Sequence, residues 1–328
     1  MPASSAFSFP EVTVAAVQTA PAFLDTGSSL DLIETKTEHA VSEGAQLVAF
    51  SEAFLPGFPT WALVLPPTRQ HGLTERLYRQ AIDVPGPATT RLAEIASKHR
   101  IVLSVGITER STRSVGTMWN ANLVFGPDGS LINHRRKLVP TWAEKLVWSN
   151  GDASELIPVE SDLGRIGVLI CGENTNPLAR FALIDRGEQI HIAPYPPAWP
   201  TRSASDSTNY DLTHAIGLRS AAHSFEGKLV TIAVAGLVSP DELAAIGAID
   251  STAADDLAAA PLPVTAVFGH DGHPVIEPLV GTEGTLIAKV ALGGSIAAKQ
   301  IHDVSGGYQR FDVFGFDVDR RRRDLGGG

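Results

Sequence analysis

An α/β fold with mixed rather than purely parallel sheets is what this sequence predicts, on three observations. Short apolar, β-branched runs alternate with helix-spaced segments from end to end. Some neighbouring strands are joined by tight turn signals and others are separated by a helix, so hairpins and crossovers coexist. No linker, short-period repeat or low-complexity segment interrupts the alternation. One domain is therefore expected over residues 1–328, with its core at about 12–318 and a short polar tail.

The elements follow in order. Val12 to Val17 is a first strand, ended by Thr19, Ala20 and Pro21; Leu30, Ile33, Thr37, Ala40 and Val41 then recur at helical spacing until Gly44. Leu47 to Phe50 is a short apolar strand followed by Ser51-Glu52 and a loop crowded with aromatics and prolines up to Trp61. Leu73 to Ala81 predicts a short helix, Pro85-Gly86-Pro87 punctuates, and the next helix starts near Thr89 or Thr90 and runs to His99. Ile101 to Ile107, Trp119 to Phe125 and Leu131 to Arg136 are strands, the last two joined by a turn at Pro127-Asp128-Gly129, and Lys137 ends the third. Leu156 to Val159 and Arg165 to Ile170 flank a hairpin signal at Ser161 to Gly164. The second of these stops at Cys171; a polar turn and a helix from Pro177 to Arg186 follow, with Asn176 as N-cap. Gln189 to Ile192, Leu229 to Val234, Val264 to Phe268, Val275 to Glu277 and Thr285 to Val290 are later strands. A helix is expected over Asp211 to Phe225, and a helical or irregular excursion over Ser239 to Ala260.

The totals exclude several classes. With 44% apolar and 19% charged residues the chain reads as globular, and a formal charge of −10 argues against nonspecific nucleic-acid binding. The one basic block, Arg320 to Arg323, is interleaved with aspartates and reads as a solvated tail. No apolar run approaches the ~20 residues of a membrane span, and the first residues lack a signal-peptide pattern. A single cysteine permits no intrachain disulfide, so a cytoplasmic location is expected.

Three polar residues stand at or just past the carboxyl ends of apolar strands: Glu52, Lys137 and Cys171. Each has a bland explanation: a solvated strand end, a charged surface beside Arg135 and Arg136, a small buried hydrophobe. Together they suit one chemistry. A carboxylate can take the thiol proton, an ammonium can stabilise a developing anion, and a thiolate can attack an electrophilic carbon. Phe54, Trp61, Trp142, Tyr195 and Trp199 lie in the neighbouring loops; each alone reads as packing, and as a set they would line an apolar substrate pocket. His270 and His273 sit on an Asp-Gly turn rather than in a metal cluster. His191, His214 and His223 read as structural histidines, and Gly326 to Gly328 as a flexible end.

The residues around these positions resemble motifs of the nitrilase superfamily, the carbon–nitrogen hydrolases. Ser51-Glu52-Ala-Phe-Leu-Pro-Gly-Phe-Pro59 resembles its glutamate motif, His134-Arg-Arg-Lys137-Leu-Val-Pro140-Thr its lysine motif, and Cys171-Gly-Glu173-Asn its cysteine motif. Thr141-Trp-Ala-Glu144-Lys-Leu-Val-Trp148, Cys171 to Leu178, and Asp303 to Val313 resemble the nitrilase branch in particular, so the likeness runs from about Val12 to Val318. It implies a four-layer α-β-β-α sandwich, a homodimer through one helical layer or a higher homo-oligomer, and no metal or organic cofactor. It implies Cys171 as nucleophile, Glu52 as general base, Lys137 as stabiliser of the tetrahedral intermediate, Glu144 as a positioning glutamate and the Gly172 N–H as an oxyanion donor. The implied substrate is an organic nitrile, converted to acid and ammonia. An amidase, an N-carbamoyl hydrolase, or cyanide or nitrile hydration would use the same residues. Three positions depart from the pattern: Gly172 replaces the tryptophan after the nucleophile, Gly307 a histidine and Phe311 a proline. Gly172 would remove a wall of the substrate pocket.

Overall fold

Alternation along the first strand shows how the layers arise. In β1 (Glu11–Gln18), Val12, Val14 and Ala16 enter one buried cluster while Ala15 and Val17 enter another. Both faces are covered, which is why these strands read as continuous apolar runs. The structure is a computed structural model that describes residues 7–323.

Two six-stranded sheets stack face to face. The first contains β1, β2 (Leu47–Ala49), β3 (Val102–Arg110), β4 (Met118–Phe125) and β5 (Leu131–Arg136). The second contains β6 (Val159–Ser161), β7 (Gly164–Val168), β8 (Ile190–Tyr195), β9 (Val230–Ala235), β10 (Val264–Phe268) and β11 (Leu279–Val280). The last strand, β12 (Gly284–Ala291), returns to the first sheet antiparallel to β1, from Glu11 opposite Ala291 to Gln18 opposite Gly284. Each sheet has a parallel centre, β1-β2-β3 and β7-β8-β9, with antiparallel strands outside it.

Val12, Val14, Leu47, Ala49 and Val102 of the first sheet share the inter-sheet core with Ile190, Ile192 and Ile232 of the second. Val48, Leu103 and Val105 pack outward against Ile33 and Ala40 of helix Thr26–Ser42 and Leu92 and Ile95 of helix Pro87–His99. On the opposite side, helices Pro177–Ile184 and Leu212–Gly227 cover the second sheet. The layers are thus α-β-β-α. Helix starts follow side-chain caps: Asp25, Asn176 and Asp211 each accept a backbone N–H of the first turn.

Several expectations are corrected. β7 ends at Val168 rather than Ile170, and Cys171 opens a 3₁₀ turn, Cys171–Thr175. Val275 to Glu277 forms no strand; only a Phe268–Pro274 bridge is present there. Pro274 has no N–H for a ladder, and β11, which starts five residues on at Leu279, pairs with Val264 and Thr265. The excursion after Ser239 resolves into helices Pro240–Gly247 and Ser251–Ala258, capped by Ser239 and Asp250. Helix Gly294–Ile301 was not expected, because its glycine start carries no side-chain cap. The basic block is laid back on the body: Arg320 Nε donates to the Leu156 carbonyl and Arg323 N–H to Asp152. Gly326 to Gly328 lie outside the described residues. Among the described residues no helix is long and apolar enough to cross a membrane.

Candidate active site

Glu52 follows β2, and the chain crosses β3 there at close quarters. A Cβ at Gly106 would lie 2.3 Å from the Ser51 carbonyl oxygen, so only glycine lets the Glu52 segment approach. Lys137 leaves the end of β5, its N–H bonded to the Asn120 carbonyl at 2.8 Å. Glu144 sits in the 3₁₀ turn Trp142–Leu146, and Cys171 in the turn after β7. Glu52, Lys137 and Glu144 are each 1% exposed and Cys171 5%. The first sheet and its loops therefore supply the charged groups, and the second supplies the thiol.

Lys137 Nζ is the hub. It donates to Glu52 Oε1 at 2.7 Å and to both Glu144 oxygens at 2.9 and 2.7 Å. Asn120 Nδ2 also donates to Glu52 Oε1, at 2.7 Å. Glu52 Oε2 has no partner. Glu52, Glu144 and Cys171 each bring a ligand-type atom within 4.8 Å of the others. Such a cluster could hold a cation, but the Lys137 ammonium already bonds both carboxylates.

Electrostatics follow from burial. Desolvation pushes Glu52 up to about 7, with Lys137 opposing and Glu144 adding to the rise. Burial works against the Lys137 ammonium, but Glu144 and Glu52 outweigh it and hold lysine charged. The Cys171 thiol is pushed well above its ordinary range by burial and by Glu52, against the pull of Lys137. The resting pair is thus a neutral thiol facing a carboxyl poised near neutrality.

Cys171 adopts a left-handed φ of +50°, a conformation that costs a non-glycine residue roughly 1–2 kcal/mol. Its neighbours over-determine it. Glu173 accepts from the Ile170 N–H at 2.8 Å, from the Leu138 N–H at 2.6 Å and from Arg135 at 2.6 Å. One carboxylate therefore staples the thiol loop to the lysine loop. Asn174 Nδ2 donates to the carbonyls of Leu169 and Cys171 at 2.8 and 3.0 Å.

The aromatic set divides. Phe54 packs on Phe50 in the core beneath the helices of the first sheet, and Trp61 is fully buried edge-on to Phe23. Phe54 therefore lies in a different buried cluster from the thiol, whereas Trp61 shares the inter-sheet cluster of Cys171, Tyr195 and Trp199. Tyr195 is fully buried with its hydroxyl 3.4 Å from Ser220 Oγ, and its carbonyl accepts the Glu52 N–H. Trp199 packs on Phe58 and Trp142, and Trp142 is 53% exposed. At Gly172 a Cβ would lie 2.8 Å from Thr141 Oγ1, so the Thr141 loop occupies space that a side chain would need. The missing tryptophan is therefore partly filled rather than left open.

Sequence reasoning missed Asn120 and Arg219. Asn120 was signalled by a polar residue inside the apolar run Trp119 to Phe125. Arg219, on helix Leu212–Gly227, exerts a lowering influence on Cys171 and donates to the Tyr210 hydroxyl; nothing local in the sequence marks it.

Residues 13–300 match the family model described as carbon-nitrogen hydrolase, and the chain belongs to that family of hydrolases acting on carbon–nitrogen bonds. It is 31% identical to a nitrilase of Paraburkholderia phymatum, over 94% of this chain and 87% of that one. It is 33% identical to a bromoxynil-specific nitrilase of Klebsiella pneumoniae subsp. ozaenae, over 94% and 85%. Among solved structures it resembles a carbon-nitrogen hydrolase from Helicobacter pylori, with TM-score 0.73 and 18% identity over 93% of this chain and 97% of that one. An amidase from Nesterenkonia sp. gives TM-score 0.63 and 19% identity over 92% and 98%. At those identities the two structures speak to fold alone.

Proposed function

We propose that this protein is a nitrilase that converts an organic nitrile to its carboxylic acid and ammonia through a covalent intermediate on Cys171. The nitrile is supported by the 31% and 33% identity to nitrilases over 94% of this chain, and the covalent route by the unpartnered Glu52 Oε2 in the cluster with the cysteine, beside a charged Lys137. Glu52 takes the thiol proton, and the thiolate attacks the nitrile carbon. The nitrile nitrogen gains that proton, giving a thioimidate. Water activated by Glu52 adds to the same carbon, the C–N bond breaks, and ammonia leaves. A second water then cleaves the thioester, releasing acid and restoring the thiol. Lys137, held by Glu144, stabilises the tetrahedral intermediates. The first N–H groups of a helical turn have no partner within it, and Gly172 N–H is the oxyanion donor in this reading. Trp142, Tyr195 and Trp199 flank the substrate.

The chain acts as one domain and, in this reading, as a homodimer. Exposed Leu178, Leu218 and Phe225 on the helices covering the second sheet support an apolar contact there. Sedimentation of the purified protein as a monomer would remove that part.

The test is incubation with panels of nitriles and amides, measuring ammonia, acid and amide. Acid and ammonia from nitriles are expected, and Cys171→Ala is expected to abolish them with folding intact. Turnover of amides alone would refute the nitrile assignment, and a substantially active Cys171→Ala protein would refute the covalent route.

A further inference from the structure

A second buried polar cluster lies behind the nucleophile. The side chains of Glu188, His191 and His223 have no exposed surface. Glu188 Oε1 is 2.7 Å from His191 Nδ1, and Glu188 Oε2 is 2.7 Å from His223 Nε2. His191 Nε2 is 2.8 Å from Asn174 Oδ1. Room for the carboxylate is made by Gly167 of β7, where a Cβ would lie 1.9 Å from Glu188 Oε1.

Donor accounting fixes the protons. The carbonyls of Leu169 and Cys171 can only accept, so the amide nitrogen of Asn174 faces them and its oxygen faces His191. His191 Nε2 must therefore carry hydrogen. His223 Nδ1 has no partner, so its proton sits on Nε2, toward Glu188. Burial alone would raise Glu188, but the two imidazoles outweigh it and hold the carboxyl at about 2. His191 Nδ1 faces that carboxylate at 2.7 Å, so the ring is held at both ends. Burial, with His191 adding to it, holds His223 down at about 4, which keeps it neutral.

We propose that His191 is a positioning residue for the nucleophile. Through Asn174 it fixes the two carbonyls that bracket Cys171, and so holds the thiol in its left-handed turn within reach of Glu52. Glu188 orients the ring, and His223 orients Glu188. The inference rests on Cys171 as the reacting thiol, though not on the nitrile as substrate.

Two substitutions of one residue separate this role from packing. The amide nitrogen of His191→Gln can stand where Nε2 stood and donate to Asn174, whereas that of His191→Asn stands where Nδ1 stood and reaches only Glu188. Two readouts apply: kcat and KM on a substrate that the wild type turns over, and the alkylation rate of Cys171 by chloroacetamide, followed by intact mass. The single cysteine makes the second unambiguous, and it needs no nitrile. His191→Asn should lose about 10²-fold in kcat, with KM little changed and alkylation slowed, and His191→Gln should recover most of both. Equal kcat and equal alkylation in the two variants, or losses that simply follow Tm, overturn the proposal. Should both fail to fold, Glu188→Gln decides. Its amide can donate to His191 and accept from His223, preserving each hydrogen bond without the charge. It should alkylate within a few-fold of wild type; a loss as large as that of Glu188→Leu overturns the proposal. A wild type inert toward nitriles would sink the nitrilase reading while leaving the alkylation ordering decisive.

Discussion

Replacing Glu52 by glutamine alters one functional atom. The carbonyl oxygen of the new amide can keep the bonds from Lys137 and Asn120 at 2.7 Å each, and an N–H₂ group replaces the unpartnered Oε2. The volume is unchanged and Lys137 retains both Glu144 contacts, so the fold should survive. What is lost is the proton acceptor for the thiol, and general-base catalysis is worth ~10²–10⁴-fold. The wild type supplies its own control. With Glu52 at about 7, the ionised fraction rises about tenfold between pH 6 and pH 8, and kcat/KM should rise with it, half-maximal near pH 7. The assay is ammonia release at subsaturating nitrile from pH 5.5 to 8.5, with circular dichroism confirming that both proteins are folded. A Glu52→Gln enzyme within tenfold of wild type, or a flat wild-type profile below pH 8, would show that Glu52 is not the base.

Three further outcomes are expected. Gly172→Ala places a Cβ 2.8 Å from Thr141 Oγ1, so Thr141 must shift, and with it the N–H that donates to Glu144. The loss in kcat should stay below about 10²-fold and be largely recovered in a Gly172→Ala, Thr141→Ala double variant; no recovery would place the fault elsewhere. Glu173→Gln leaves the buried Arg135 without its counter-charge and presents an amide donor to backbone N–H groups. Urea unfolding should show about 3–5 kcal/mol of lost stability, and a change under 1 kcal/mol would mean the staple is slack. Burial raises Glu242 from 4.5 to about 7 against the hydroxyl of Thr60. The unfolded state releases this proton first, so the wild type loses up to about 3 kcal/mol as pH rises through that window. Glu242→Gln should shrink the stability difference between pH 5 and pH 8, and an unchanged difference would refute the assignment.

Glu52 and Cys171 were legible because each follows an apolar strand, where a charge or a lone thiol needs a reason; Lys137 follows the polar run Asn133 to Arg136 and was legible through its motif. Their mutual approach was not legible from pattern alone, since it depends on two sheets docking; family resemblance supplied it, as it supplied Glu144. The aromatic loops did not separate Phe54, in the outer cluster, from Trp61, in the cluster of Cys171, because composition does not say which face of a loop turns inward. Val275 to Glu277 misled because two apolar residues, Val275 and Ile276, suit a strand only if a ladder partner is free. Glu188 and His223 are 35 residues apart and meet only after a strand and a helix pack, so no local spacing announces them.

The division of the site between the sheets also bears on how the protein is made. The thiol rides on the second sheet, and the groups that activate it belong to the first. Either half assembled alone carries no working chemistry. The last strand, β12, lies along β1 and so returns the chain from the second sheet to the first. Turnover therefore requires that the sheets be docked, and recovery of activity after denaturation counts only molecules whose halves have met in register.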